Sequence, residues 1–234
     1  MAFDYDGTLA PIVPEPNHAT LRASTRLLLE ETARVYPCVV ISGRAQRDAL
    51  RHLKGVGTLE VFGNHGVEPW QVSGRFRREV RRWLPIVERR LRGLQGVKIE
   101  DKSFSIAIHF RQSRQKKKVR AAIRQLTALL GDIRVIPGKQ VVNVLPKGAP
   151  HKGMALENAR GRLHCDTAVY VGDDETDEDV FALDQPGQLL TIRVGRKRTS
   201  GAAYYIHSQR EIDALLRALL RMRSVPIAAK RRPR

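Results

Sequence analysis

The two acids in Phe3-Asp4-Tyr5-Asp6-Gly7-Thr8 are spaced for chemistry. At the carboxyl end of a strand, carboxylates two residues apart both reach the crevice where parallel sheets bind ligands, once Gly7 turns the chain out of the pleat. One member of such a pair can attack an electrophile or bind a cation while the other moves a proton. An ordinary acidic turn produces the same string, so the pair does not stand alone. Further on, the hydrophobic stretch 169–171 runs through Gly172 into Asp173-Asp174-Glu175-Thr176-Asp177-Glu178-Asp179. Acids this dense are costly unless a cation is bound, and hard carboxylate oxygens without clustered Cys or His point to Mg2+ rather than zinc. Asp177, Glu178 and Asp179 also suit a helix N-terminus favoured by the macrodipole, with Thr176 as its cap and Asp179 completing a capping-box-like pattern. Ser42, in Ile41-Ser42-Gly43-Arg44, offers a hydroxyl and free N–H groups at a helix start, where phosphate oxygens bind; Ser is equally a common N-cap. Lys152, in His151-Lys152-Gly153, is either a surface lysine or a fixed cation at a helix start. No G-x-x-x-x-G-K-[ST] and no G-x-S-x-G string occurs, which excludes a P-loop and an α/β-hydrolase elbow.

The elements that must position these groups alternate. A short strand ends at Asp4, a helix covers 20–35 with Leu21, Leu27, Leu28 and Ala33 among its buried positions, and Pro37 stops it. A buried strand at 38–41, a helix over 44–53 and a strand at 59–62 follow. This rhythm implies a parallel sheet with helices on its faces. Between 68 and 146 the pattern changes: a basic helix over 76–94 containing Pro85, strands at 97–100 and 104–110, a helix over 114–130, and strands at 133–136 and 140–145. Strands outnumber helices there, so this segment reads as an antiparallel α+β module inserted in the first domain. From His151 the first rhythm returns: a helix, a strand at 168–172, a helix over 177–183, a strand at 189–194 and a helix over 209–221. The expected division is therefore a core of 1–67 and 147–225, a cap of 68–146 and a basic tail of 226–234. Crossings rich in Gly and Pro at 63–67 and 146–150 are the expected hinges.

The 234 residues are 42% hydrophobic, enough for a real core, and carry 42 Lys and Arg against 24 Asp and Glu, a net charge of +18. Such a field favours anionic partners. Over half the excess lies in 68–118, where fifteen basic and five acidic residues give +10. Solvated helix faces explain most of it, and no aromatic-rich strand or helix-turn-helix pattern accompanies it, so nucleic acid is not the expected partner. No apolar run is long enough to span a bilayer, and the first residues lack the basic-then-apolar order of a secretory signal. Cys38 and Cys165 cannot form a disulfide framework, so a reducing cytosol is the expected compartment, with a monomer as the expected state.

Taken together, D-x-D-G-T, a strand-end Ser, a Lys and G-D-D-x-x-D, in that order, resemble the haloacid dehalogenase (HAD) superfamily of phosphatases. The resemblance implies an α/β fold, a HAD-like Rossmannoid parallel-sheet core with an inserted α+β cap. It narrows to trehalose-6-phosphate phosphatases on residues 4–12, 41–44, 63–66 and 171–181 and on the Glu100-x-Lys102 and His109-x-Arg111 pairs. What it implies is a Mg2+-dependent transfer of the phosphoryl group of a sugar phosphate in two steps. Asp4 is the nucleophile and Asp6 the proton donor and acceptor. The Mg2+ lies between Asp4, the Asp6 backbone carbonyl and Asp173, with Asp174 and Asp177 completing or orienting that shell. Ser42 and Lys152 hold the phosphoryl oxygens. Thr8, Gly43, Arg44, Asn64, His65, Glu100, Lys102, His109, Arg111, Lys139 and Asn143 are the implied substrate contacts.

Strand alternation supports the cap's part independently: Phe104, Ile106, Ile108 and Phe110 share one face, Ser105, Ala107, His109 and Arg111 the other, and Glu100 and Lys102 one face of the preceding strand. A solvent-facing sheet would show the same pattern. One departure from the family pattern stands out: Asn143 replaces a Glu and Leu145 an Arg. A charged acceptor becomes neutral there, which weakens a charge-assisted hydrogen bond. The chemistry is untouched, but another glycosyl phosphate, such as a phosphorylated glucosyl- or mannosyl-glycerate, enters as an alternative substrate. A basic nucleic-acid-binding protein with a degenerate phosphatase core is the rival of another class, and the intact acidic cluster speaks against it.

Overall fold

The computed structural model describes residues 1–15, 18–58, 60–69, 74–138, 140–183 and 185–224. In chain order it forms β1 (Ala2–Phe3), α1 (Ala23–Val35), β2 (Val39–Ile41), α2 (Gln46–His52) and β3 (Glu60–Phe62). Then come α3 (Gly74–Leu91), β4 (Lys98–Asp101), β5 (Ile106–His109), α4 (Lys116–Leu129), β6 (Ile133–Gly138) and β7 (Val141–Pro146). The chain closes with α5 (Lys152–Arg162), β8 (Ala168–Gly172), α6 (Glu178–Phe181), β9 (Leu189–Val194), β10 (Tyr204–Ile206) and α7 (Ile212–Ser224). Six strands make one parallel sheet in the order β10-β9-β8-β1-β2-β3.

Residues alternate across this sheet between two apolar layers, which is why its strands read as continuous hydrophobic runs. Phe3, Val40 and Val171 pack with Leu29 of α1 and Leu216 of α7. Ala2, Val39, Ile41 and Tyr170 pack on the other side with Leu156 of α5 and Phe181 of α6. β1 pairs with β2 on one side and β8 on the other, so strand order reverses at β1. That reversal opens a crevice at the carboxyl ends of the three strands, and Asp4, Ser42 and Asp173 leave the sheet there.

The second sheet is antiparallel, in the order β4-β5-β7-β6, and forms the cap. Ile106, Ile108 and Val144 pack beneath α3 and α4 through Val80, Trp83, Val87, Val119, Ile123 and Leu126. Arg75, Arg78, Arg82, Arg89 and Lys116 to Lys118 are exposed on these helices, so much of the basic excess is a solvated face. No described helix is long and apolar enough to cross a membrane.

Several expectations need correction. Leu27 is exposed and Ala33 half-buried, while Leu21 and Leu28 are buried as expected; α1 also buries Thr25, Leu29 and Thr32, and the Thr32 hydroxyl donates to the Leu28 carbonyl at 2.7 Å, which lets a threonine take a core position. Phe104 does not share the layer of Ile106 and Ile108. Ser103 turns the chain at φ 68, and Phe104 packs instead with Val67, Ile136, Leu145 and Ala149. Thr176 does not cap α6: its hydroxyl donates to Asp174 Oδ1 at 2.6 Å, and Asp179 pairs with Arg134. α6 is one turn rather than the expected seven residues. β10 was not expected, and α7 starts only after a 3-10 turn at Gln209–Glu211. Lys139 and the 226–234 tail lie outside the described residues.

Candidate active site

The floor of the crevice is a buried set of charges. Lys152, the first residue of α5 and 1% exposed, places Nζ 3.0 Å from Asp4 Oδ1 and 2.8 Å from Asp177 Oδ1. Asp174 Oδ1 lies farther off, at 3.9 Å. Asp4 follows β1, and its N–H donates to the Val171 carbonyl at 2.8 Å, which fixes the chain between β1 and β8. Asp177 is fully engaged. Its Oδ1 accepts from Lys152 and from the Tyr170 hydroxyl at 2.6 Å, and its Oδ2 accepts the N–H groups of Asp173 and Asp174 at 2.7 and 2.8 Å. The approach is close enough to require glycine twice. A Cβ on Gly172 would lie 2.2 Å from Asp177 Cγ, and one on Gly7, whose φ is +85°, 2.2 Å from an Asp173 oxygen.

These carboxylates repel one another. Burial pushes Asp4 well above the usual carboxylate range, and Asp177, Asp174 and Asp173 push the same way against Lys152. Asp173 is raised to about 8 by burial and by Asp177 and Asp174, against which Lys152 and then a 3.3 Å hydrogen bond from Thr8 pull it down only in part. Lys152 is held charged: burial opposes its charge, and Asp177 and Asp4 outweigh it. Asp4, Asp173 and Asp177 each offer an oxygen within 4.8 Å of the others. One lysine cannot keep these carboxylates ionised together, and their all-oxygen donor set fits a hard divalent cation such as Mg2+, which would favour their charged forms.

The structure sets Asp6 apart from this cluster. Arg44 grips its carboxylate through two bonds of 2.6 and 2.7 Å, also bonds Asp48 at 2.8 Å, and stacks over Tyr5. Buried Ser42 accepts the Arg44 N–H at 3.1 Å. The next crossing, after β3, carries Asn64 and His65 at φ 49° and 59°, a left-handed backbone that non-glycine residues adopt at a cost and that clusters at functional sites. The His65 N–H donates to the Ser42 carbonyl at 2.9 Å, and its ring lies against Gly43.

From above, the polar face of the cap meets the core. Glu100, Ala107 and Asn143 are directly opposite one another across β4, β5 and β7. His109 bonds Glu100 at 2.8 Å. Lys102 Nζ donates to the Gly43 carbonyl at 3.0 Å, and Asn64 donates to the Lys102 carbonyl at 3.0 Å and to Glu68 at 2.9 Å. Arg111 reaches the Val13 carbonyl at 3.2 Å. Buried polar atoms of His65 and Asn143 find no hydrogen-bond partner among the described residues.

Two arginines escaped the sequence reading. Arg134 of β6, opposite Leu145 of β7, makes two 2.5 Å bonds to Asp179 and ties cap to core. Arg193 of β9 reaches under the 173–174 loop. In a chain with 42 basic residues a single Arg gives no signal; only the register shows which arginine meets which acid.

His65 yields a pH prediction. Burial, with Lys102 and Lys152, lowers its imidazole to about 3 from 6.5. Above pH 6.5 both folded and unfolded chains hold it neutral, and no cost arises. As pH falls from 6.5 toward 3 the unfolded chain binds a proton that the fold refuses, so stability drops. Melting temperature measured from pH 7 to pH 4 should fall less steeply for His65→Gln than for the parent; parallel curves would contradict this.

The family model described as trehalose-phosphatase matches residues 2–205. The chain is 30% identical to probable trehalose-phosphate phosphatase 4 of Oryza sativa subsp. japonica, over 94% of this chain and 65% of that one. It is 26% identical to trehalose 6-phosphate phosphatase RA3 of Zea mays, over 94% and 69%. It thus spans about two-thirds of the length of these relatives. Among solved structures it is similar to a trehalose-6-phosphate phosphatase related protein, with a TM-score of 0.75 at 24% identity, covering 94% of this chain and 97% of that one. A HAD subclass IIB sugar phosphatase, BT4131, shares the fold with a TM-score of 0.61 at 12% identity, covering 94% and 97%. On the family match, which covers most of its length, the chain belongs to the trehalose-phosphatase family.

Proposed function

We propose that the chain hydrolyses trehalose 6-phosphate to trehalose and phosphate through an aspartyl-phosphate on Asp4. The observation that carries this reading is the buried Asp4–Lys152–Asp177 cluster, with Asp173 beside it, at the strand-order reversal under a polar cap face. Asp4 attacks phosphorus as the bond to the sugar oxygen breaks, and Asp6 gives that oxygen its proton. Asp6 then takes a proton from the water that attacks the phosphorus, which frees Asp4 and releases phosphate. To do so, Asp6 must turn from Arg44 toward the leaving oxygen. Lys152 offsets phosphoryl charge, and Ser42 and the N–H groups behind it hold a phosphoryl oxygen. A Mg2+ ion at this place would be held by Asp4, Asp173 and the Asp6 carbonyl, with Asp174 and Asp177 orienting them, and would supply the remaining charge neutralisation.

Of the other implied contacts, Glu100, Lys102, His109, Arg111 and Asn143 hold the sugar from the cap, and Asn64 and His65 from the hinge. Asn143 favours a second reading of the substrate, because its buried oxygen, without a partner among the described residues, is a neutral acceptor where the family carries a charged one. Phosphate release from trehalose 6-phosphate and from glucosyl- and mannosyl-phosphoglycerate decides between them. The expected result is hydrolysis of trehalose 6-phosphate with the highest kcat/KM, falling on the order of a hundredfold or more in EDTA. A higher kcat/KM on a phosphoglycerate would reassign the substrate, and no release from any ester would remove the reading.

A further inference from the structure

We propose that Arg193 is a positioning residue for the metal loop, holding the Asp173 and Asp174 peptides so that Asp173 faces the cation; this rests on the Mg2+-dependent reading above. Arg193 is opposite Gly172 in the β8–β9 register, directly behind the point where the chain leaves β8. Its side chain is 9% exposed. Nη2 donates to the Asp173 carbonyl, and Nη1 donates to the Asp174 carbonyl at 3.1 Å and to Glu178 Oε1 at 2.8 Å. Glu178 is itself fixed, since its Oε2 accepts the Gly201 N–H at 2.9 Å. On the opposite side Asp177 Oδ2 takes the N–H groups of Asp173 and Asp174. The two residues are therefore held at both ends of their backbone polarity, N–H by a carboxylate and C=O by a guanidinium.

The planar fork matters more than the charge. An ammonium at the end of a lysine would bring a positive charge close to the same place, but it cannot span two carbonyls and a carboxylate in one rigid plane. Groups that orient metal ligands are worth about 10- to 100-fold in metal affinity. A merely electrostatic role predicts that lysine suffices. A role in folding alone predicts lost stability with Mg2+ affinity unchanged.

Arg193→Lys and Arg193→Gln in the full chain separate these cases. Mg2+ affinity is read by titration calorimetry, substrate KM at saturating Mg2+, and amide hydrogen exchange of residues 173–177 without metal. Both variants should bind Mg2+ about tenfold or more weakly, with KM within about twofold of the parent and loop exchange at least about tenfold faster. Parental Mg2+ affinity in Arg193→Lys, or parental loop exchange in it, overturns the proposal. If Arg193→Gln does not fold, Arg193→Lys alone decides. A parent chain that binds no Mg2+ overturns the metal reading and the proposal with it, whereas a parent that binds Mg2+ as its Arg193 variants do overturns the positioning role alone.

Discussion

Asp4→Asn should stop turnover without unfolding the protein. Asparagine fills the same space but cannot form the acyl phosphate, so kcat should drop on the order of 10⁴-fold or more. The fold should tolerate the change. Asp4 is one of several buried acids around a single lysine, burial already pushes it above its usual range, and Lys152 keeps Asp177 as its partner at 2.8 Å. Losing one carboxylate relieves repulsion among the others. The melting temperature should therefore hold or rise, measured beside phosphate release from trehalose 6-phosphate. A variant that melts normally and retains more than about a tenth of the activity would remove Asp4 from the chemistry.

Lys152→Met should cost both activity and stability. The methionine matches the lysine stem in length but strands Asp4 and Asp177 in a buried site without their cation. Breaking a buried pair in this way costs about 3–5 kcal/mol, which for a chain of this size lowers the melting temperature on the order of 10 °C. The pH dependence has a definite sign. Burial raises Asp4 and Asp177 above 3.8 even with the lysine present, and its removal raises them further. Above 3.8 the unfolded chain releases these protons while the fold retains them, so stability falls as pH rises. The deficit of the variant against the parent should therefore widen from pH 4 toward pH 8 and narrow in acid. Thermal melts across that range, with and without Mg2+, check this. Equal stability of variant and parent at pH 8 would show that the lysine does not hold the cluster together.

Asp4 stood out in the sequence as a strand end within a short characteristic string, whereas Lys152, on its own either a surface lysine or a fixed cation at a helix start, stood out only through the family resemblance. The positions of Asp4, Ser42, Lys152 and Asp173 follow from counting strands, and the strand-order reversal at β1 brings the groups together. What local pattern could not show was pairing at long range. Asp6 and Arg44 are 38 residues apart, Arg134 and Asp179 45 apart, and Arg193 lies 20 residues from the Asp173 carbonyl it holds. The run Asp177-Glu178-Asp179 looked like one feature, a metal cage or a helix start. In the structure its three acids serve three different cations, Lys152, Arg193 and Arg134. Asp177 still opens α6, its carbonyl accepting the Val180 and Phe181 N–H groups, and the helix ends at Phe181. Phe104 was misplaced because β5 begins only at Ile106, so Phe104 lies in the bend that Ser103 opens and strand alternation does not reach it.

Asp4 is the group proposed to receive the phosphoryl moiety, and acid quenching is the sharpest test of that. Trehalose 6-phosphate labelled with radioactive phosphorus is mixed with enzyme in Mg2+, stopped in acid within milliseconds, and the protein is digested and mapped. The account predicts label on the peptide containing Asp4, stable in acid and released by hydroxylamine, as an acyl phosphate should be, and absent from Asp4→Asn. Label on any other residue, or full-rate hydrolysis by the Asp4→Asn enzyme, would contradict it.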